Sequence, residues 1–245
     1  MYSFFVKDAQ IEDGAARIEG DDMRHIRQVL RMRENDTLRI SNGSDRCYIC
    51  RIASFSEDCI RLDLLEEDPE GTELSSRIYL FQCLPKGDKM EWVIQKNTEL
   101  GITGIVPVVS KRCVVRLDAK KAEAKTARWR AIAKSAAEQS KRLTVPEVTN
   151  VMGFEEALSY GKDLDMRVIP YENAEGIRAT RDWIASVGPG MRVGILVGPE
   201  GGFEREEVLR AGEEGWKPLT LGRRILRTET AGMALTAALM LHLET

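Results

Sequence analysis

Two loops near the C-terminal end of the chain contain the residue types best suited to bind a ligand. The first is Gly198-Pro199-Glu200-Gly201-Gly202, and the second, residues 221–227, is Leu-Gly-Arg-Arg-Ile-Leu-Arg. Each loop follows a short apolar run that predicts a buried parallel strand. Open α/β sheets bind ligands in the loops that follow the carboxyl ends of their strands. The sequence therefore predicts one ligand site built from both loops.

Commoner glycine motifs do not fit the first loop. A dinucleotide-binding fingerprint requires Gly-x-Gly-x-x-Gly and an acidic residue about 20 positions later, whereas Pro199 follows the first glycine and arginines occupy that later region. A Walker A loop is excluded because no Gly-Lys-Ser/Thr ends the run. What remains is a turn in which Pro199 fixes φ, while Gly201 and Gly202 permit left-handed backbone or the close approach of a ligand.

The helix that follows the first loop limits which ligand suits it. Its first turn contains Glu204, Glu206 and Glu207, which are favourable at the positive end of a helix dipole but repel a phosphate. The expected ligand is therefore flat, neutral or cationic, and bound by backbone groups. The alternative is an ordinary strand-to-helix turn that binds nothing.

The second loop has features that a simple turn lacks. Residues 221–222 end a strand, and residues 225–226, Ile-Leu, form an apolar shelf. Arg227 precedes Thr228, which we expect to cap a helix that begins at Glu229.

The two motifs together resemble those of a known family. The segments Gly198–Phe203 and Leu221–Ala231 are similar to the signature of the SPOUT, or trefoil-knot, RNA methyltransferases, specifically of the RsmE family that methylates uridine N3 in small-subunit (16S) ribosomal RNA. The resemblance covers nearly the whole chain. Its other segments are Lys86–Glu91, Gln95–Lys96, Thr98–Gly101, Glu138–Ser140 and His25–Arg31. One departure is Lys141, where the family often has Gly, which leaves the local turn in question.

The resemblance implies S-adenosylmethionine as the cofactor, bent between the crossings of a deep trefoil knot. The implied cofactor-binding residues are Pro170, Val197, Gly198, Pro199, Glu200, Gly201, Leu221, Gly222, Ile225, Leu226 and Thr230. The adenine of this cofactor is flat and suits backbone groups, and Glu200 or Glu229 can balance its sulfonium. The predicted catalytic residues are Arg227, Glu200 and Glu229.

Methyl transfer to uracil N3 requires the N3 proton to leave, because a neutral imide nitrogen has no available lone pair. We expect Glu200, Glu229 or Glu138 to accept or relay this proton while Arg227 holds a nearby phosphate; the alternative role of each glutamate is helix capping or dipole pairing. The target base must be unpaired or flipped out, since N3 lies on its pairing edge. Two other functions stay open: a ribose 2′-O-methyltransferase of the same superfamily and a non-catalytic RNA-binding assembly factor.

The chain of 245 residues suits two unequal domains. Residues 1–70 alternate polar and apolar positions and predict a small β-barrel, which the resemblance implies is PUA-like and binds RNA. Its predicted elements are strands Thr37–Ile40, Cys47–Ile52 and Cys59–Leu64 and helix Asp22–Leu30. The polar segment Glu66–Ser76 predicts a linker.

Residues 77–245 alternate strands and helices, which predicts an α/β domain with a parallel sheet covered on both faces. Helix 2 of the chain is expected to start after Asp88 as N-cap, with Glu91 completing a capping box and Gly101 beyond its end. The other predicted elements are strands Arg77–Leu84, Gly104–Val109 (continued by Val114–Val115) and Asp165–Pro170, and helices Ala119–Ser140, Phe154–Tyr160, Ala174–Ser186 and Glu229–Leu243.

Positive charge is concentrated locally. The formal net charge is −3, so an RNA site must be a local patch. Residues 111–142 contain eleven Lys and Arg against three Asp and Glu, a net +8, which favours contact with a polyanion over a merely solvated helix. A second cluster, within 24–51, predicts an RNA-docking face or, alternatively, a solvated face with cross-strand ion pairs. The predicted RNA-binding residues are Arg24, Arg27, Arg31, Lys86, Arg112 and Arg142.

The remaining expectations concern partners and location. Cys47-x-x-Cys50 is half of a zinc motif, but no second pair completes it and His25 and His242 are the only histidines, so we expect free thiols and no metal. We found no signal peptide or membrane span, which predicts a cytoplasmic protein. The final helix is apolar on most sides and is either buried or a subunit interface; the resemblance implies a homodimer. The expected partner is ribosomal RNA or the small ribosomal subunit.

Overall fold

The computed structural model describes residues 1–68, 72–172, 174 and 176–244. The chain divides into two compact units, Met1–Glu73 with Ala137–Val145, and Leu74–Ala136 with Pro146–Thr245. The return of residues 137–145 to the first unit was not part of the predicted boundaries of 1–70 and 77–245. Residues 69–71 of the predicted linker lie outside the described residues.

The first unit is built on a six-stranded sheet with the strand order β1-β4-β5-β6-β3-β2, in which the β1/β4 pair is parallel and the other pairs are antiparallel. Side chains that alternate along the strands, such as Ile18, Leu38 and Ile60, form its core. The elements are β1 (Ser3–Phe5), β2 (Ile11–Glu12), β3 (Ala15–Glu19), α1 (Gly20–Arg24), β4 (Thr37–Ser41), β5 (Cys47–Phe55) and β6 (Cys59–Glu67).

The three predicted strands of this unit begin at the predicted residues and extend further. The predicted helix Asp22–Leu30 is α1 followed by a π-helical turn, His25–Val29. Lys141, where the family often has Gly, has a φ of 58°. The turn at this position is therefore left-handed, which explains why glycine suits it.

The second unit contains a parallel sheet with the strand order β10-β8-β7-β12-β11-β13, and β9 pairs with β8 as well. Its central strands are apolar along almost their whole length, as expected for strands covered on both faces. They are β7 (Arg77–Cys83), β8 (Gly104–Val109), β9 (Glu147–Val148), β10 (Met152–Gly153), β11 (Met166–Pro170), β12 (Arg192–Val197) and β13 (Lys217–Leu219).

Among the described residues, six helices belong wholly or partly to this unit. Five of them pack on the sheet or on each other, and the sixth, α3, begins in this unit and ends in the first. They are α2 (Lys89–Glu99), α3 (Ala119–Gln139), α4 (Phe154–Tyr160), α5 (Ile177–Ala185), α6 (Arg205–Glu213) and α7 (Thr228–Leu243). Of the predicted helix Ala174–Ser186, residue 175 lies outside the described residues, and the helix itself is the shorter α5.

Two local predictions are wrong. The segment Val114–Val115 does not continue β8; it is irregular, and Val114 is exposed. Asp88 occupies the N-cap position of α2, but among the described residues its side chain makes no capping hydrogen bond. Glu91 pairs instead with Arg128, at 2.7 Å between Oε1 and Nε. Here a long-range ion pair replaces the local capping box.

The parallel order sets the position of the functional loops. The carboxyl ends of β7, β12, β11 and β13 lie at one edge of the sheet. Consequently the loops that follow Cys83, Val197, Pro170 and Leu219 are neighbours, although they come from segments more than a hundred residues apart in the chain.

Candidate ligand site at the carboxyl edge of the parallel sheet

A cavity of about 370 Å³ lies at this edge, between the two loops that were predicted from the sequence. A recess of about 70 Å³ adjoins it and shares Pro170, Ile225 and Leu226 with it. The cavity is lined by Lys89, Pro170, Glu172, Val197, Gly198, Pro199, Glu200, Gly201, Gly202, Phe203, Ile225, Leu226, Arg227, Thr228 and Ala231. The recess adds Tyr171, Thr220, Leu221, Gly222 and Arg224.

The first loop is held in a tight turn by its own backbone and by neighbours. The Gly202 N–H donates to the Pro199 carbonyl at 2.9 Å, and Gly202 has a φ of 66°, a conformation that favours glycine. A Cβ on Gly202 would lie 3.4 Å from Oε1 of Glu172. The Arg112 Nη1 donates to the Gly201 carbonyl at 2.9 Å. The positive φ, and not a lack of space, is what requires glycine at position 202.

The helix after this loop starts as its acidic sequence predicts. Both oxygens of Glu207 accept backbone N–H groups, Oε1 from Lys111 at 2.9 Å and Oε2 from Glu204 at 3.0 Å. Glu207 is buried. A carboxylate therefore already occupies the N-terminus of α6, which excludes a phosphate there.

The second loop presents backbone and apolar groups. Gly222 has a φ of 114°, and its N–H donates to the hydroxyl of Thr220 at 3.2 Å. Ile225 is 87% exposed, although it lines both the cavity and the recess. Such an exposed apolar side chain suits the edge of a flat ligand or of another protein surface.

Thr228 connects the two loops and the central strand. Its hydroxyl donates to the Gly198 carbonyl at 2.6 Å and accepts from Nε2 of Gln82 at 2.8 Å. Gln82 and Thr228 are both buried. The expectation that Thr228 caps the last helix is wrong: Arg227 is the N-cap residue, and Thr228 is already the first residue of α7. The hydroxyl stabilises a contact between loops instead of a helix end.

Charged side chains of both signs surround the cavity. Lys89 lies between two carboxylates, with Nζ at 3.1 Å from Oε1 of Glu200 and at 3.3 Å from Oε2 of Glu229. The backbone N–H of Lys86 also donates to Glu200, at 3.0 Å. Burial alone would raise the pKa of Glu200, but these donors outweigh it and hold the pKa below its usual value. Glu200 is therefore ionised at neutral pH.

The structure brings most of the predicted site residues together. Nine of the predicted cofactor-binding and catalytic residues line the cavity, and two more, Leu221 and Gly222, line the recess. The nine are Pro170, Val197, Gly198, Pro199, Glu200, Gly201, Ile225, Leu226 and Arg227. Glu229 contacts the site through Lys89, and Thr230 donates its backbone N–H to the Arg227 carbonyl at 2.9 Å. Glu138 belongs to the first unit.

Three residues of this site were not predicted. Lys89 and Gln82 are near the carboxyl end of β7, and Glu172 follows the carboxyl end of β11. The signal that identified the two loops, a position at the end of a parallel strand, also applies to these residues. Pro170, at the carboxyl end of β11, was predicted, but Glu172 itself was not. The segment after β7 contains no glycine cluster, and neither Gln82 nor Lys89 was predicted as a site residue.

The predicted RNA-binding residues divide into exposed and buried ones. Arg24 and Arg31 are exposed, whereas Arg27 donates to the Ser56 carbonyl and its Cζ lies 5.2 Å from the centre of the Phe55 ring. Arg142 is 2% exposed and pairs with Glu73, to which its Nε donates at 2.8 Å. Arg142 is thus a structural residue, and the expectation that it grips RNA is wrong.

The pair with Arg142 also shifts the pKa of Glu73. Burial would raise the pKa of Glu73, but the hydrogen bond and the charge of Arg142 hold it below its usual value. Four arginines of the N-terminal cluster also pair with carboxylates, which agrees with the alternative interpretation of that cluster. These pairs are Arg24 with Asp21, Arg39 with Asp68, Arg46 with Asp8 and Arg51 with Asp63.

Four of the five cysteines are buried, and Cys59 is half-buried. Cys47 and Cys50 are buried, and burial raises the pKa of their thiols to about 11 and about 12, so both are neutral. All five cysteines are free. Within the part of the chain that the structure describes, no group of three or more His, Cys, Asp or Glu is placed to hold a metal ion, and no helix is long and apolar enough to cross a bilayer.

The fold and the site define a class before any comparison is made. A parallel α/β unit binds ligands at the carboxyl edge of its strands, and here that edge offers backbone groups, an apolar shelf and fixed charges of both signs. This is the site of an α/β enzyme that binds a flat, nucleoside-like ligand.

Comparisons with known proteins identify the family. Residues 72–240 match the RNA methyltransferase domain family, and residues 18–63 match the RNA methyltransferase PUA domain. The chain is 38% identical to ribosomal RNA small subunit methyltransferase E of Bacillus subtilis over 100% of this chain and 98% of that protein. The chain therefore belongs to the RNA methyltransferase family that contains ribosomal RNA small subunit methyltransferase E.

Solved structures agree with this assignment. The ribosomal RNA small subunit methyltransferase E of Neisseria gonorrhoeae, bound to S-adenosyl methionine, has a TM-score of 0.82 and 34% identity, covering 97% of this chain and 96% of that one. A putative methyltransferase of Legionella pneumophila, in complex with the bound cofactor SAM, has a TM-score of 0.85 and 26% identity, covering 98% and 96%.

The link through Thr228 can be tested by its effect on stability. We expect Thr228→Val to lower the free energy of unfolding by about 1–3 kcal/mol, because it leaves buried polar groups of Gln82 and Gly198 without their partner. Thr236→Val is the matched control, since the Thr236 hydroxyl bonds only to Gly232 within α7. Urea unfolding measures both. Equal losses in the two variants would show that the link between the loops has no special weight.

Proposed function

We propose that this chain transfers a methyl group from S-adenosylmethionine to N3 of a uridine in small-subunit (16S) ribosomal RNA. The observation that carries the proposal is the cavity between the two loops, which lies where the Gly198–Phe203 and Leu221–Ala231 motifs meet. Family membership supports the reaction class, and the cofactor named in the Neisseria gonorrhoeae structure supports the methyl donor. The N3 position rests on the resemblance of these motifs to the uridine-N3 family.

The residues present fit this cofactor. The carbonyl and N–H groups of 197–202 and 221–226 suit the polar edge of an adenine, and Leu226 with Ala231 offers an apolar surface to its ring. Glu172 and Glu200 supply negative charge in the same cavity. S-adenosylmethionine, when bound, supplies an electrophilic methyl group on a positively charged sulfur. The site has anionic groups to balance that charge.

Glu229 is the proton acceptor that the geometry favours. Glu200 accepts hydrogen bonds from Lys86 and Lys89 and has a lowered pKa, which makes it a weak base and a fixed negative charge. The side chain of Glu229 is 13% exposed. Among the described residues, its ion-pair partner is Lys89. Glu229 therefore has fewer donors that hold its charge than Glu200 has, and we assign it the role of proton acceptor.

Arg227 is proposed to hold the RNA next to the cavity. It is exposed, lines the cavity and precedes α7, and no partner for its guanidinium occurs among the described residues. A guanidinium can bind a phosphate with two parallel hydrogen bonds. A phosphate held here would lie beside the transferred methyl group.

RNA is proposed to bind the exposed basic residues of both units. In the first unit these are Arg24 and Arg31, and in the second they are Lys86, Arg112 and the solvent-facing side of α3. On the inner side of α3, Trp129, Ala133 and Ala136 are buried. Lys120, Lys121 and Arg130 on its other side are exposed. The arrangement offers phosphate contacts without a row of aromatic side chains.

A trefoil knot, a homodimer and a cytoplasmic location complete the proposal. The link from Thr228 to Gly198 and Gln82 supports a C-terminal segment that passes closely beneath the first loop. The helix α7 is apolar on all sides, yet Leu241 is exposed, as is Ile225 in the second loop. These apolar groups are suited to a second copy of the chain. Modification of ribosomal RNA in bacteria takes place in the cytoplasm.

The product of the reaction distinguishes the possible functions. With labelled S-adenosylmethionine and small subunits that lack the modification, we expect the label in 3-methyluridine after digestion to nucleosides. Label in a 2′-O-methylated nucleoside would replace the proposal by the ribose methyltransferase. Calorimetry with S-adenosylmethionine tests the third possible function. A non-catalytic assembly factor would bind no S-adenosylmethionine at millimolar concentration.

Removal of Arg227 should reduce catalysis more than cofactor binding. We expect Arg227→Ala to lower the methylation rate by about 100-fold or more, because it removes the cation that is proposed to hold an RNA phosphate next to the cavity. Arg178→Ala is a matched control, since Arg178 is an exposed arginine on α5. Single-turnover rates and calorimetry measure the two effects. A rate within twofold of the unaltered protein would remove Arg227 from the site.

The basic side of α3 should make RNA binding depend steeply on salt. The logarithm of the association constant falls with the logarithm of salt concentration by roughly 0.9 for each phosphate neutralised. We expect the variant with Lys120, Lys121 and Lys125 changed to alanine to have a slope shallower by about 2. The control replaces three exposed cations elsewhere in the second unit, Lys162, Arg178 and Lys217, by alanine. Identical slopes in both variants would exclude α3 from the RNA interface.

A further inference from the structure

We propose that Lys89 is a catalytic residue whose ammonium group stabilises the negative charge that develops on the uracil ring when N3 loses its proton. This inference rests on the proposed function and adds a role that the sequence motifs did not indicate. It is carried by the position of Lys89 on the cavity wall, between two carboxylates that fix its orientation.

The position of the ammonium group is well defined. Lys89 is the first residue of α2, directly after the loop that follows β7. Its Nζ lies 3.1 Å from Glu200 on the first loop and 3.3 Å from Glu229 on α7. Three structural elements therefore converge on one cation. Its side chain is 35% exposed and lines the cavity, so the group is anchored but open to a ligand.

The hydrogen-bonding capacity of the ammonium group leaves room for a substrate. A lysine has three N–H donors. One is donated to Glu200, and the ion pair with Glu229 occupies the side of the ammonium group that faces α7. The remaining capacity is available to a carbonyl oxygen of a base in the cavity. The hydrogen bond that Lys89 donates to Glu200 and the nearby charge of Glu229 raise the pKa of Lys89, so the group stays protonated and serves as a donor and not as a base.

The reaction gives this donor a specific task. The N3–H bond of uracil breaks and its proton passes to a carboxylate, a role that the proposed function assigns to Glu229. The electron pair left on N3 forms the new bond to the methyl carbon, while the electrons of the carbon–sulfur bond stay with sulfur. Between these events negative charge spreads from N3 to the O2 and O4 carbonyl oxygens. A cation held beside one of these oxygens lowers the barrier most where water is excluded.

Other charges around Lys89 leave this role to it. Glu172 and Glu200 are negative and oppose an anionic base, and Arg227, the other cation of the cavity wall, is assigned to a phosphate. Lys86 contributes its backbone N–H to Glu200. Among the described residues that line the cavity, Lys89 is therefore the cation that two carboxylates hold in place.

The test compares ordinary RNA with RNA in which 5-fluorouridine replaces uridine. Fluorine makes the imide proton more acidic, so less external stabilisation of the anion is needed. We expect Lys89→Met to lower the single-turnover rate by about 100-fold on uridine but by less than about 10-fold on 5-fluorouridine. Lys89→Arg, which keeps the charge, should recover part of the rate on uridine. Calorimetry should give a dissociation constant for S-adenosylmethionine within threefold of the unaltered protein.

The control is Lys96→Met on the same helix, because Lys96 also pairs with a glutamate, Glu99, and does not line the cavity. It should match the unaltered protein on both RNAs. An equal loss for Lys89→Met on the two RNAs would overturn the inference, since it would mean that Lys89 only positions Glu200 and Glu229. If Lys89→Met loses cofactor binding, the decision passes to Lys89→Arg, and a rate no better than that of Lys89→Met also overturns it.

Failure of the proposed function gives a different result. An unaltered protein that forms no 3-methyluridine from either RNA refutes both the function and this inference. An unaltered protein that forms 3-methyluridine, together with a Lys89→Met variant that is equally fast, refutes the inference alone.

Discussion

The site depends on one shared hydroxyl. Thr228 joins the end of β7, through Gln82, to the first loop, through the Gly198 carbonyl, and it is itself the first residue of α7. Gln82 and Thr228 are buried and Gly198 is half-buried, and a buried polar group without a partner costs about 1–3 kcal/mol. Separating the two loops would therefore leave at least one buried group unsatisfied. This constraint keeps the two loops facing each other in the absence of a ligand.

A cavity that is preformed in this way favours a small cofactor. Binding costs less when the groups that contact the ligand are already ordered. Here Gly202 permits the turn, Arg112 holds the Gly201 carbonyl, and Glu207 occupies the start of α6. Each of these contacts is made between groups of the protein itself. The same contacts explain why backbone atoms, and not long flexible side chains, provide most of the cavity wall.

The sequence predicts this site better than it predicts the surroundings. Gly198–Phe203 and Leu221–Ala231 were located because strand ends in a parallel sheet lie together, a rule that needs only the alternation of strands and helices. The same rule does not say which side chain of a neighbouring segment enters the site, so Lys89 and Glu172 were missed. Thr228 was predicted to cap a helix but forms a contact between the loops. The local capping rule could not reveal this, because a threonine before a helix satisfies that rule equally well.

Charge was the least reliable guide. A count of arginines does not distinguish a surface that binds phosphate from a buried ion pair, and Arg142 is the clearest case. Its partner Glu73 lies far away in the chain, in the segment predicted as a linker, so no local pattern could reveal the pair. Lys141 shows the opposite situation. The resembled family often has glycine at this position, and a preference for glycine indicates a left-handed backbone such as Lys141 has.

The arrangement of charges in the cavity follows from the two species that it has to hold. During the reaction a positively charged sulfur and a uracil that becomes negative neutralise each other. A site with charges of only one sign would stabilise one of these two species and destabilise the other. Glu200, held ionised by Lys86 and Lys89, and Lys89, held between Glu200 and Glu229, place both signs within one hydrogen-bonded group. Charges fixed in this way need no reorganisation when the methyl group moves, and that is the condition under which electrostatic stabilisation is most effective.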